Sequence, residues 1–163
     1  MKKIIIALTM ILCFAGINNM QAQNYKSAVG AKLGWGLIGS YKTFLSESNA
    51  IEVFAGFRWS GLGAGAFYQI HKDINEVDNL QWFIGGGASV TTWSYGLTGL
   101  GSYAEVGLHF DIGLEYTFTD IPLNVSLDYA PGFVVFDTYD YTGTLGRLRL
   151  GYGSLTARYI LKR

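Results

Sequence analysis

Tyr103–Phe118 reads YAEVGLHFDIGLEYTF. Taken two at a time, Ala104, Val106, Leu108, Phe110, Ile112, Leu114, Tyr116 and Phe118 share one face, and Glu105, His109, Asp111 and Glu115 share the other. Side chains alternate across a strand, so this pattern describes a strand held between an apolar medium and a polar one. Which medium is the apolar one decides the protein. Strands of soluble sheets average about 5–6 residues, with the apolar face turned inward. The alternation here continues for sixteen residues. A strand that crosses a bilayer needs about 9–11 tilted residues, with aromatics near its ends. The expected arrangement is an apolar face against lipid and an ionisable face lining a closed barrel.

The N-terminal segment is consistent with export. Lys2 and Lys3 form a basic start, Ile4 to Gly16 an apolar core, and Asn18 to Gln23 a polar exit containing Met20-Gln21-Ala22. That order is the order of a secretory signal peptide, so residues 1–22 are expected to be removed after Ala22 and residues 23–163 to form the barrel. Cys13 is the single cysteine and lies in the apolar core, preceded by Leu12 where a lipoprotein signal needs a small residue. The processed chain would therefore offer no disulfide, thiol nucleophile or cysteine metal site. It would also lose Lys2 and Lys3, leaving ten basic against twelve acidic residues. With no basic run, nothing points to a nucleic-acid partner.

Glycine numbers 22 and aromatics make up 15% of the chain while proline numbers only 2, which suits closely packed strands with aromatic surfaces. Outward from the deciding stretch, the same alternation recurs. Val29, Ala31, Leu33 and Trp35 oppose Ala28, Gly30, Lys32 and Gly34 in a first strand. A second, Ile38 to Leu45, puts Tyr41 and Leu45 opposite Ser40 and Lys42, with Phe44 out of pattern. Ile51 to Trp59 alternates with Glu52 and Arg58 inward; Leu62 to Ile70 follows with Gln69 and His71 inward. Leu80 to Ser94 makes the fifth strand. After the sixth, Leu123 to Tyr129 is expected to stop at Pro131, since proline cannot donate to a ladder. The last strand starts near Gly146 with Leu148, Leu150 and Tyr152 outward; a bulge over Gly151 to Gly153 then shifts the phase. Tyr95–Ser102 and Asp137–Thr144 are expected as exposed loops. The count is eight, giving an all-β, eight-stranded antiparallel up-and-down transmembrane barrel.

The phrases SYKTFLSESNAIEVFAGFRWSG, LQWFIGGGASV and GLEYTFTDIPLNVSLDYAPGF resemble those of small outer-membrane barrels of the Bacteroidetes lineage, with the architecture of the OmpA transmembrane region and OmpX. The resemblance spans nearly all of the processed chain and implies an outer-membrane location in a Gram-negative bacterium. Such barrels usually end on an aromatic residue; here Tyr159 is followed by Ile160, Leu161, Lys162 and Arg163.

The expected interior polar network comprises Lys32, Glu52, Arg58, Glu105, His109, Asp111, Glu115, Asp128 and Arg158, with Lys42, His71, Arg147 and Arg149 on the same inward phase. Eight strands enclose a space that side chains just fill, so these groups are expected to pair with one another rather than line a wide pore. Trp35, Trp59, Trp82, Tyr116, Phe118, Tyr129 and Tyr159 are expected near strand ends as an aromatic belt. His109 lies two residues from Asp111, and Ser102, Ser126 and Ser154 are available, so the materials for acyl chemistry exist; spacing of two proves only a shared face. Neither a metal nor a cofactor is expected from two separated histidines and an acidic segment, Asp73–Asp78, that lacks the glycine of a calcium loop. The expected role is structural or surface-interacting, with membrane lipid and lipopolysaccharide as partners. The alternatives are a barrel enzyme acting on lipid A or phospholipid acyl chains, and a soluble lipocalin-like carrier, which would reverse the sidedness.

Overall fold

The computed structural model describes residues 25–34, 36–58, 61–95, 100–138 and 146–163. The expected signal segment and its cleavage site, Trp35, Trp59 and most of the Asp137–Thr144 loop lie outside the described residues.

Among the described residues ten strand segments follow one another: β1 (Ser27–Leu33), β2 (Leu37–Phe44), β3 (Asn49–Arg58), β4 (Gly61–Asp73), β5 (Leu80–Tyr95), β6 (Leu100–Thr117), β7 (Leu123–Tyr129), β8 (Gly132–Asp137), β9 (Leu148–Arg149) and β10 (Gly153–Lys162). β7 and β8 both pair with β6 and form one stave; β9 pairs with β8 and β10 with β7, forming the next. Each stave is antiparallel to its neighbour, and β10 pairs with β1, so eight staves close into a barrel. Its near end carries the start of β1, the finish of β10 and the turns at 45–48, 74–79 and 118–122.

The register fixes the stagger. From Gly30 the hydrogen-bonded partners run through Ser40, Phe54, Gly65 and Ser89 to Gly107; the other way they run through Arg158 and Asn124 to Thr117. The two routes meet on β6 ten residues apart, at 107 and 117. A stagger of this kind requires the staves to tilt by roughly 40° to the barrel axis.

Every alternation sorts to an inside and an outside. On β6, Leu108, Phe110, Ile112 and Leu114 are exposed, while Glu105, His109, Asp111 and Glu115 are buried. The interior is layered. Read from the near end, the inward residues of β3 are Ala50, Glu52, Phe54, Gly56 and Arg58: apolar, ionic, apolar, ionic. Tyr25, Ala28, Phe44, Ala50 and Ile160 make the first apolar layer, and Ile38, Phe54, Phe67, Ala130 and Tyr152 the second.

Glycine makes room for these rings. Phe54 faces Gly65 across the ladder, Phe67 faces Gly87, Phe83 faces Gly113 and His109 faces Gly132. At each of these four glycines an added Cβ would overlap the facing ring. An inward aromatic is thus accommodated by an inward glycine on the next stave, which gives much of the glycine-rich composition a steric reason.

Three expectations are corrected. Pro131 interrupts its stave without ending it: its carbonyl accepts from Phe110 N at 2.9 Å, and the chain continues as β8 to Asp137. Tyr152 faces inward rather than outward, because the phase slips in the stretch between β9 and β10, ahead of the glycine at 153. β5 and β6 also extend into the expected Tyr95–Ser102 loop, with Tyr95 opposite Leu100. Phe44, out of pattern in the sequence, is an inward residue of the first apolar layer.

Candidate functional site: the filled interior

The lysine, arginine and carboxylate side chains of the deeper ionic layer stand on six staves. Arg158 on β10 is its centre: Nη2 lies 2.5 Å from Glu52 Oε1, Nε donates to Ser40 Oγ at 3.0 Å, and Nη1 donates to Ser126 Oγ at 2.9 Å and stands 3.8 Å from Glu115. Lys32 Nζ bridges Glu52 at 3.2 Å and Asp128 at 3.1 Å. Lys42 Nζ meets Glu115 Oε2 at 2.6 Å and sits 4.6 Å from the centre of the Phe83 ring. Ser154 donates to Asp128 at 2.8 Å, and Tyr25 donates to Glu115 Oε1 at 2.9 Å. Burial, followed by the Glu115 charge, raises the Tyr25 phenol well above its ordinary pKa, so this hydroxyl remains a donor.

Gln69 joins the layer from β4. Its amide nitrogen donates to Glu52 Oε2 at 3.0 Å and to Asp111 Oδ2 at 2.6 Å. Gln69 Oε1 and Asp111 Oδ1 are both buried without a partner, as are His71 Nδ1 and Thr156 Oγ1. His71 Nε2 stands 3.4 Å from Lys42 Nζ, and its ring stacks 5.0 Å from Phe83. Charges so enclosed are costly unless paired, and pairing across several staves ties the wall together from inside.

The second ionic layer lies toward the far end. Arg149 Nη2 meets Glu105 Oε2 at 2.6 Å, Arg58 Nη1 lies 3.8 Å from Glu105 Oε1 and donates to Thr91 at 3.0 Å, and Arg147 pairs with Asp137 at 3.0 Å. Arg58 also hydrogen-bonds Tyr152 Oη, and its guanidinium lies over that ring. The arginine side chains are only partly buried, 13% exposed for Arg58 and 30% for Arg147.

His109 sits between the layers, 5.6 Å from the Tyr152 ring and 6.2 Å from Phe67. Its Nε2 is 2.8 Å from Ser89 Oγ and its Nδ1 is 3.3 Å from the Ala130 carbonyl. The serine beside His109 is therefore Ser89. Ser126 binds Arg158 and Ser154 binds Asp128, while Asp111 engages Gln69. Ser89 and His109 place a hydroxyl against an imidazole, with a backbone carbonyl where acyl-transfer sites use a carboxylate to orient the base. Among the described residues no three histidine, cysteine or acidic side chains gather as a metal site.

Lys32, Glu52, Arg58, Glu105, His109, Asp111, Glu115, Asp128 and Arg158 thus all point inward, in two groups rather than one. Among the expected belt aromatics, Trp82, Tyr116, Phe118 and Tyr159 stand at or just beyond the near-end termini of β5, β6 and β10, with Tyr116 and Phe118 edge to face at 4.9 Å. Tyr129 faces out but is displaced from the expected end: its stave runs on to Asp137, so it stands near mid-wall. Sequence reading missed Tyr25, which precedes any alternation, and Tyr152. An open pocket of about 380 Å³ lies on the outer wall where β7 gives way to β8, between Phe110, Pro131, Phe133 and Leu150.

No protein-family model, curated protein or solved structure matches the chain.

Proposed function

We propose that the chain is an integral outer-membrane β-barrel of a Gram-negative bacterium with a structural or surface-interaction role, its interior filled by side chains rather than open as a wide pore. The observation that carries this reading is the inverted sidedness. Phe57 is 71% exposed and Leu127 61%, whereas Lys42 and Asp111 are fully buried. An apolar wall extending over whole staves far exceeds the few hundred Å² of apolar patch that soluble monomers expose. Lipid removes that cost, and the paired backbone of a closed barrel meets the requirement that no edge face hydrocarbon. A lipocalin-like carrier needs an apolar cavity, and here ion pairs and rings occupy that space. The two apolar layers argue for a plug rather than a channel. His109 and Ser89 are read as part of this packing, and surface contacts are assigned to the far-end loops, with lipid and lipopolysaccharide as the surrounding partners. The resemblance to small Bacteroidetes barrels implies the same eight-stranded outer-membrane barrel, of mostly unassigned function.

Fractionation of the expressed protein, combined with its mobility on a cold detergent gel before and after heating, tests the reading. Recovery in the outer membrane with a heat-dependent band shift is the expected result. Recovery as a soluble periplasmic protein would overturn it.

A further inference from the structure

The deeper ionic layer does not balance if every group takes its usual charge. Three cations, Lys32, Lys42 and Arg158, face four carboxylates, Glu52, Asp111, Glu115 and Asp128, and none of the seven is more than 3% exposed. Among the described residues His71 is the only other titratable side chain near enough to supply a fourth positive charge, since His109 lies outside the layer, against Phe67 and Tyr152. Its Nε2 stands 3.4 Å from the Lys42 ammonium and 3.9 Å from Glu115 Oε2; only a neutral ring can accept from the ammonium in the nearer contact, so His71 is counted as neutral. One negative charge is left over.

The salt bridges assign it. Glu52, Glu115 and Asp128 each have a lysine or arginine nitrogen within 4.0 Å, at 2.5 Å, 2.6 Å and 3.1 Å respectively. Asp111 has none; its one side-chain partner is the Gln69 amide at 2.6 Å, and its Oδ1 is an orphan. A wholly buried carboxylate without a cation is far more costly than a neutral acid in the same place. The amide that touches Asp111 also carries an orphan, Gln69 Oε1, which is an acceptor and requires a donor.

We propose that the barrel interior holds one proton, on Asp111, as a neutral carboxylic acid beside Gln69. That proton brings the layer to three positive and three negative charges and gives a donor to the carboxyl that touches the Gln69 amide. The inference goes beyond the proposed function and does not depend on what covers the outer wall.

The test is infrared spectroscopy of the folded barrel at neutral pH, in detergent or, should the protein prove soluble, in buffer. The wild type is expected to show the carbonyl stretch of a protonated carboxyl, and Asp111→Asn to lose it. A wild type without that band, or a band that survives Asp111→Asn, overturns the proposal. Denaturant unfolding gives an independent reading. Asp111→Asn, which resembles the neutral acid in shape and charge, is expected to keep the wild-type midpoint while Asp128→Asn lowers it. An equal loss in both variants overturns the proposal, as does a wild-type midpoint that rises specifically with sodium, which would put a metal cation in the proton's place.

Discussion

The two ionic layers are made from the same residue types and lie in the same barrel, yet their surroundings differ. The deeper one is sealed between apolar layers, with Arg158, Lys32 and Lys42 no more than 1% exposed. The far-end one is open, and its arginine side chains are 13–30% exposed. Sealed charges cannot exchange a lost partner for water, so each depends on all the others. Charges near the mouth are screened and solvated, so any one of them is replaceable. The comparison separates a part of the interior that holds the fold from a part that is free to vary.

The largest expected effect is therefore at Arg158. Arg158→Met keeps much of the stem but removes the guanidinium from Glu52, Ser40, Ser126 and Glu115 at once. Removing one partner of a buried pair costs about 3–5 kcal/mol because the remaining charge is left uncompensated. Denaturant unfolding of the purified barrel measures it, and a loss under about 1 kcal/mol, the value of a surface pair, would erase the distinction between the layers.

Next comes the outer wall. Leu108 is 54% exposed and lies between the deeper layer and the far end. Leu108→Arg is expected to cost about 2–4 kcal/mol if that position faces the bilayer interior. Folding yield into lipid vesicles reads it, and an unchanged yield would remove the support for a lipid-facing wall. The glycine–aromatic pairs come third. Gly87→Ala forces a methyl against the Phe67 ring and the Ala66 carbonyl, and overpacking of this kind costs about 1–3 kcal/mol. Its neighbour Gly86 is exposed, and a Cβ there meets the His109 carbonyl oxygen at an ordinary 3.5 Å, so Gly86→Ala serves as the control. Equal midpoints for the two variants would show that the glycines are not making room for rings.

Much of this was legible from alternation alone. The inward phase of β6 follows from its ionisable residues at 105, 109, 111 and 115, and that of β3 from Glu52 and Arg58, because a register of two leaves no third option. The layering was less legible. Phe54 and Phe67 look like errors in a polar face until their partners are known, and those partners are glycines on the next stave, brought opposite by a register that one strand cannot reveal; Phe44 likewise stands opposite the small Ala50. Tyr152 was misplaced for a related reason. The slip lies in the stretch between β9 and β10 that begins with Leu150 and Gly151, where no side chain marks which residue changes face. Pro131 was read by its missing donor, yet its carbonyl still holds the ladder to β6.

The smallest expected effect, at Arg149, is the one that completes the comparison. Arg149 makes two contacts with Glu105, at 2.6 Å and 3.4 Å, and also donates to the Gly146 and Leu148 carbonyls. By contact count it rivals Arg158. Its side chain, however, is 18% exposed, and Glu105 keeps Arg58 at 3.8 Å once Arg149 is gone. Water and a second arginine stand ready to replace it, so Arg149→Ala is expected to lower stability by no more than about 1 kcal/mol. The loss should shrink further in high salt, whereas that of Arg158→Met should not, because the sealed layer lies beyond the reach of counterions. A loss at Arg149 as large as at Arg158, and as indifferent to salt, would mean that the mouth is as closed as the core and that the interior is a single network rather than two.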